Sequence, residues 1–284
     1  MPSPTPKRSR TKLKSVCSLQ EGVKIILLDI EGTTTPITFV ADVLFPYIRE
    51  NVQDYLRTHW KEEQCQADVD ALRQQAKLDK DVDGVVTIPD PSEDKDGGQD
   101  GDEDSDEVIR EAVVKSVLWL MDADRKVTGL KQLQGHMWED AYASTLKGEV
   151  YDDVVPAIKR WIAEEKKVYI YSSGSVQAQK LLFGHSNQGN LLPLLSGHYD
   201  TKIGAKVEKD SYTKIAADMK TEPESILFLT DVSREARPAK EAGLKSALVF
   251  RPGNKPLTVE EKAEFDIIES FGDLWPEGEE SKDS

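Results

Sequence analysis

The chain has 284 residues, 38% of them hydrophobic and 31% charged, with a formal net charge of -15. That length suffices for one large domain or two modest ones with a real core. No apolar run approaches the roughly 20 residues of a membrane helix. The polar, basic first residues lack the apolar stretch of a secretory signal. Cys17 and Cys65, the only cysteines, make no disulfide framework and read as reduced thiols of an intracellular protein.

Residues 1–22 read as a disordered basic arm, with Lys7, Arg8, Arg10, Lys12 and Lys14 and no acid among the first twenty. Such a segment is a solvated tail, and a nuclear address or a partner patch is its other use. Ile25-Ile26-Leu27-Leu28 follows, a short continuous apolar run that marks a strand covered on both faces.

The stretch from about Val40 to Glu149 is all-helical in pattern. Val40, Leu44, Tyr47, Ile48, Val52, Tyr55 and Leu56 follow helical spacing, with Pro46 kinking or restarting the helix. Ile109, Ala112, Val113, Val117, Leu120 and Met121 mark a second helix, and Leu130, Leu133, Met137, Trp138 and Ala141 a third. Between them, the segment from about 89 to 107 carries ten acids against Lys95. It repels itself, buries nothing and reads as a disordered loop. With both charged segments set aside the remainder is still acidic. That argues against a nucleic-acid surface, but not against a small anion held by a few cations, amides and a metal.

Buried strands then recur at Val168-Tyr169-Ile170-Tyr171, Ile226-Leu227-Phe228-Leu229 and Ser246-Ala247-Leu248-Val249-Phe250. Helices are expected at about 175–183, 209–219 and 234–242, with Gly243 where a helix end favours positive φ. The alternation implies a parallel, right-handed, doubly wound sheet. Its domain would comprise 23–38 and 150–275, interrupted by a helical module over 39–149 and followed by a disordered tail over 276–284. The module is expected over the carboxyl ends of the strands, where α/β folds bind ligands.

Four features fall at or just beyond expected strand ends. Asp29-Ile30-Glu31-Gly32-Thr33 offers two carboxylates on a turn eased by Gly32. Ser172-Ser173-Gly174-Ser175 offers hydroxyls and amides at a helix start, an anion site or an ordinary N-cap. Lys206 is a point cation near another helix start. Asp231, with Glu235 four positions on, is a metal site or helix N-cap chemistry. Jointly they supply what phosphoryl transfer needs: a nucleophile beside a hard cation, donors for the spread charge, and an acid for the leaving oxygen.

In that order the four features resemble the motifs of the haloacid dehalogenase superfamily, and the helical insert resembles its cap. Leu27-Leu28-Asp29-Ile30-Glu31-Gly32-Thr33-Thr34-Thr35-Pro36, Leu44-Phe45-Pro46-Tyr47 and Leu133-Gln134-Gly135-His136-Met137-Trp138 are similar to the acireductone synthases. So are Tyr169 to Ser175, Lys180 to Ser186 and Arg251-Pro252-Gly253-Asn254. These are the enolase-phosphatases of methionine salvage.

The resemblance implies a Rossmann-like α/β core with an inserted all-helical cap. It implies enolisation and dephosphorylation of 2,3-diketo-5-methylthiopentyl-1-phosphate to 1,2-dihydroxy-3-keto-5-methylthiopentene. Asp29 would be the nucleophile and Glu31 the acid and base. Ser172, Ser173 and Lys206 would bind the phosphate. One Mg²⁺ would be held by Asp29, Asp231 and the Glu31 carbonyl, and Gly32, Thr33, Gly174 and Glu235 would support the site. For the enolisation the motifs name no base, and the metal or Lys206 is expected to polarise the diketone. The protein would be a cytoplasmic monomer, also nuclear if the arm is an address, with no membrane or nucleic-acid partner. A capped Mg-dependent phosphatase acting on another small ester is the alternative.

Overall fold

A computed structural model describes residues 16, 18–90 and 103–276 of the chain. In order come β1 (Ile25–Leu28), a helical turn and a π-helical stretch (Val40–Leu44), α1 (Phe45–His59), α2 (Glu63–Leu78), α3 (Glu103–Asp122) and α4 (Thr128–Ser144). Then follow α5 (Val154–Ala163), β2 (Lys167–Tyr171), α6 (Val176–Gly184), β3 (Gly197–Tyr199), α7 (Lys209–Asp218) and β4 (Ile226–Thr230). The chain continues with α8 (Ser233–Glu241), β5 (Lys245–Val249), α9 (Val259–Glu264) and β6 (Asp266–Ile268). It divides into two compact units, Met1–Ala41 with Lys147–Ser284, and Asp42–Leu146.

The first unit is built on a six-stranded sheet in the order β3-β2-β1-β4-β5-β6, parallel throughout. Every residue of β1 and β4 is buried, which is why both read as unbroken apolar runs rather than as alternating ones. On one face Tyr171, Tyr212 and Phe228 pack with centroids 5.3–6.5 Å apart. Elsewhere in the unit Trp161 stacks against Phe271 and Trp275. The order reverses between β1 and β4: the chain winds outward from β1 through β2 to β3, then crosses back to β4. A doubly wound sheet opens a crevice outside the carboxyl ends of its strands at such a point. Gly243 sits just past α8 at φ +94°, as its position in the sequence predicts.

The second unit is helical. Ile48, Val52 and Leu56 of α1, Val69 and Leu72 of α2, Val113 and Val117 of α3, and Leu133 and Met137 of α4 are all 1% exposed or less. Pro46 restarts the helix, standing in the first turn of α1 after the π-helical stretch, where its missing N–H is no loss. Trp138 is core, with Nε1 donating to Leu44 O at 3.1 Å. The helix α2 has no counterpart among the three helices expected in this region. Its face of Cys65, Val69, Leu72 and Ala76 has helical spacing, yet it is narrow and set in a polar segment.

Two sequence expectations need correction. The expected basic arm runs to residue 22, but Val16 is buried and the segment 18–22 is tied to the core. Gln20 donates to Leu274 O (2.9 Å) and accepts from Trp161 Nε1 and Lys166 Nζ, while Lys245 Nζ reaches Leu19 O (3.2 Å). The expected acidic loop runs to about residue 107, but α3 spans Glu103–Asp122. Glu103, Asp104 and Asp106 occupy its first turn, where the helix dipole favours negative charge. The rest of that loop (91–102), residues 1–15 and Cys17, and the tail beyond 276 lie outside the described residues. Cys65 is buried and free.

Because Leu72 is fully buried, Leu72→Ala is expected to cost about 2–5 kcal/mol of stability. Urea unfolding followed by far-ultraviolet circular dichroism measures it.

Candidate active site

Register places three of the four features along one edge of the sheet, and Lys206 joins them from a loop. Leu28 pairs with Ile170 of β2 and with Leu229 of β4. Asp29 is therefore level with Tyr171 and Thr230, and Ser172 and Asp231 each lie one residue further on. Residues 29 and 231 thus flank the crevice between β1 and β4.

Asp29 is buried, and three donors hold it. Its Oδ1 accepts from the Ile30 amide at 2.7 Å and from Lys206 Nζ at 2.6 Å, and its Oδ2 accepts from Thr230 Oγ1 at 2.9 Å. Lys206 also lies 2.6 Å from Glu235 Oε2, so one ammonium bridges two carboxylates. Burial alone would push the Lys206 ammonium down, but Asp29 and Glu235 more than reverse this and hold it above the usual lysine range.

The loop that carries Lys206 has no regular structure, and three hydroxyls pin it. Tyr171 OH donates to Gly204 O (2.9 Å), Tyr212 OH to Lys206 O (2.6 Å) and Ser211 Oγ to Ala205 O (2.7 Å). The Thr230 hydroxyl stands between Asp29 and Glu235 Oε2, 3.1 Å from the latter, and its single proton serves one of them at a time. Thr230 went unnoticed in the sequence. Its signal there was a hydroxyl closing an apolar strand just before the acid.

The turn after β1 folds tightly back on itself. The amides of Thr33, Thr34 and Thr35 converge on Ile30 O, and Gly32 N donates to Thr35 O at 2.8 Å. Gly32 is at φ +68°, and a Cβ there would lie 2.5 Å from Asp231 Oδ2. The Asp231 carboxylate therefore presses directly on the turn that carries Asp29 and Glu31. Burial, then the charges of Asp29 and Glu235, push the Asp231 carboxyl up to about 7 against the pull of Lys206. Burial and Asp29 likewise raise Glu235. Asp231 thus stands close to the two carboxylates that one ammonium bridges, and three acids beside a single ammonium leave room for a further cation.

The donor set fits a hard one. Among the described residues no three His, Cys, Asp or Glu side chains form a ready metal cage. Mg²⁺ does not need one, since it keeps several waters and takes one or two carboxylates. The Asp29 and Asp231 carboxylates, at adjacent strand ends, would suit such an ion.

The serine motif behaves differently from the sequence expectation in one respect. The N-cap of α6 is Ser175, whose Oγ accepts from Ala178 N at 3.2 Å, and Asp200 Oδ2 accepts from Val176 N at 3.2 Å. Two of the amides at this helix start are thus already satisfied. The positions open to an anion are Ser172, buried at the end of β2, and the exposed Ser173. Gly174 lies over Ser172, with its amide 3.3 Å from Ser172 Oγ. The four histidines stay outside this cluster: His136 pairs with Asp68, His59 with Glu62 and Asp140, His198 with Gln179, and His185 lies at the end of α6.

Comparison with known proteins agrees with this geometry. A family model described as haloacid dehalogenase-like hydrolase matches residues 23–243. The enolase-phosphatase E1 of Branchiostoma floridae is 55% identical over 91% of this chain and 86% of its own. That of Danio rerio is 54% identical over 90% of this chain and 96% of its own. The crystal structure of the UTR4 protein of Saccharomyces cerevisiae superposes with a TM-score of 0.66 at 31% identity, covering 87% of this chain and 98% of that one. On these matches, and with buried Asp29, the bridging lysine and the neighbouring acids, the chain belongs to the haloacid dehalogenase-like hydrolases, in the enolase-phosphatase E1 family.

Proposed function

We propose that this chain enolises 2,3-diketo-5-methylthiopentyl-1-phosphate and then removes its phosphate, leaving 1,2-dihydroxy-3-keto-5-methylthiopentene. The observation that carries the reading is the Asp29 carboxylate, buried and oriented by Lys206, Thr230 and the Ile30 amide. Kinship with the enolase-phosphatases supports the substrate.

Within this reading Asp29 attacks phosphorus and forms an aspartyl phosphate, which divides one hard displacement into two. Its Oδ2 takes a single donor and is the freer oxygen for attack. Glu31 gives its proton to the leaving oxygen and afterwards takes one from the water that opens the acyl phosphate. Lys206, Ser172 and the backbone near Ser173 hold the equatorial oxygens as charge spreads over them. Gly32 and Thr33 shape the turn that carries Glu31, Gly174 leaves room over Ser172, and Glu235 keeps Lys206 charged and in place. Asp29, Asp231 and the Glu31 carbonyl would hold one Mg²⁺, which neutralises phosphate charge so that two anions can approach. Monoester hydrolysis needs accelerations of up to about 10²¹-fold, so no one of these contacts suffices. The reading also carries the expectation of a cytoplasmic monomer. Among the described residues no helix is long and apolar enough to cross a membrane.

Incubation with Mg²⁺ and the diketone phosphate should release phosphate and produce the enediol absorbance together, and a chelator should abolish both. Phosphate without the enediol chromophore would point instead to a phosphatase for another ester. Asp29→Asn should cut phosphate release by on the order of 10³-fold or more with an unchanged circular dichroism spectrum, and turnover near wild type would exclude the covalent route. Gly32→Ala drives a methyl into the Asp231 carboxylate at a left-handed φ. It should lower kcat by about 10–100-fold, since a displacement of roughly 1 Å costs that much. Steady-state kinetics would show it.

A further inference from the structure

The loop after β5, Arg251-Pro252-Gly253-Asn254, reaches back to the turn that follows β1. Arg251 Nε donates to Thr33 O at 3.1 Å and Asn254 Nδ2 to Gly32 O at 2.8 Å, so the loop grips two successive carbonyls. Arg251 is itself fixed. Its buried guanidinium lies 4.5 Å from the Tyr151 ring and 4.9 Å from the Phe271 ring, and Nη1 reaches Asp153 at 2.9 Å and Glu269 O at 3.1 Å.

The orientation of the Asn254 amide follows from its neighbours. Nδ2 faces two carbonyls, Gly32 O and Val249 O (3.3 Å), where an amide oxygen would be repelled. Oδ1 must point the other way, and there it is buried with no partner among the described residues. A Cβ on residue 32 would lie 2.9 Å from this oxygen and 2.5 Å from Asp231 Oδ2. Two acceptors therefore crowd one point, and none of the described residues gives the amide oxygen a donor, which is destabilising at a buried position. A water held by a cation has its lone pair on the metal and both hydrogens turned outward, and so can satisfy the two oxygens together.

We propose that Asn254 Oδ1 accepts a hydrogen bond from a water bound to a divalent cation at Asp29 and Asp231. Asn254 is then a positioning residue for that cation. This rests on the reading of a cation at this site and adds an outer partner to it. Such partners orient what the metal holds, and their loss weakens metal affinity.

The test is calorimetric titration of the full chain with Mg²⁺ alone, without substrate, beside the melting temperature of each metal-free protein. Asn254→Ala should raise the Mg²⁺ Kd by about 10–100-fold. Arg251→Lys loosens the same loop but keeps the amide oxygen, so it should lower the melting temperature while moving Kd by less than about threefold. Should N254A fail to fold, Asn254→Ser, too short to reach, carries the same expectation. Wild-type affinity in N254A, or equal weakening in R251K, overturns the proposal. Failure of the wild-type chain to bind Mg²⁺ at all would sink the cation reading beneath it.

Discussion

Everything at this site depends on one buried ammonium between two carboxylates. Lys206 is 8% exposed and lies 2.6 Å from both Asp29 and Glu235. Taking such charges out of water costs several kcal/mol per ion, and losing one member of a buried pair costs about 3–5 kcal/mol. The arrangement holds because each member meets more than one partner: Lys206 two acids, Asp29 also a hydroxyl and an amide, and Glu235 the same hydroxyl. Under the proposed function the arrangement serves chemistry rather than stability: a carboxylate held by fixed donors needs little reorganisation when it attacks, and a lysine kept charged is ready for phosphate.

The sheet makes that juxtaposition possible. Residues 29, 172, 206 and 231 are far apart in the chain, yet the parallel register of β1, β2 and β4 brings three of them to one edge. The fourth arrives on an irregular loop pinned by three hydroxyls. The reversal of strand order between β1 and β4 opens the crevice that Asp29 and Asp231 flank. Gly32 then lets the Asp231 carboxylate lie directly against the turn that follows Asp29, an approach any side chain there would block.

Much of this was legible beforehand because the signals are local. Continuous apolar runs mark β1, β2, β4 and β5, since strands buried on both faces need no alternation. Gly243 marks a helix end because few other residues accept its φ. The short strands β3 and β6 passed unread, as three residues are too few to show a period. The helix α2 passed unread because its apolar face is narrow. The acids that begin α3 read as loop because charge density and helix-dipole complementarity look alike in one dimension.

By itself the sequence determined the fold class and the family, and it singled out Asp29, Glu31, Lys206 and Asp231 as candidates, because residue type and spacing at strand ends are properties of the linear chain. Only the tertiary structure decided which groups hold those residues in place. Thr230 on Asp29, Asp200 on an amide of α6, and Asn254 beside Asp231 are contacts between segments remote in sequence. Hydrogen bonds reach about 3 Å through space and take no account of distance along the chain.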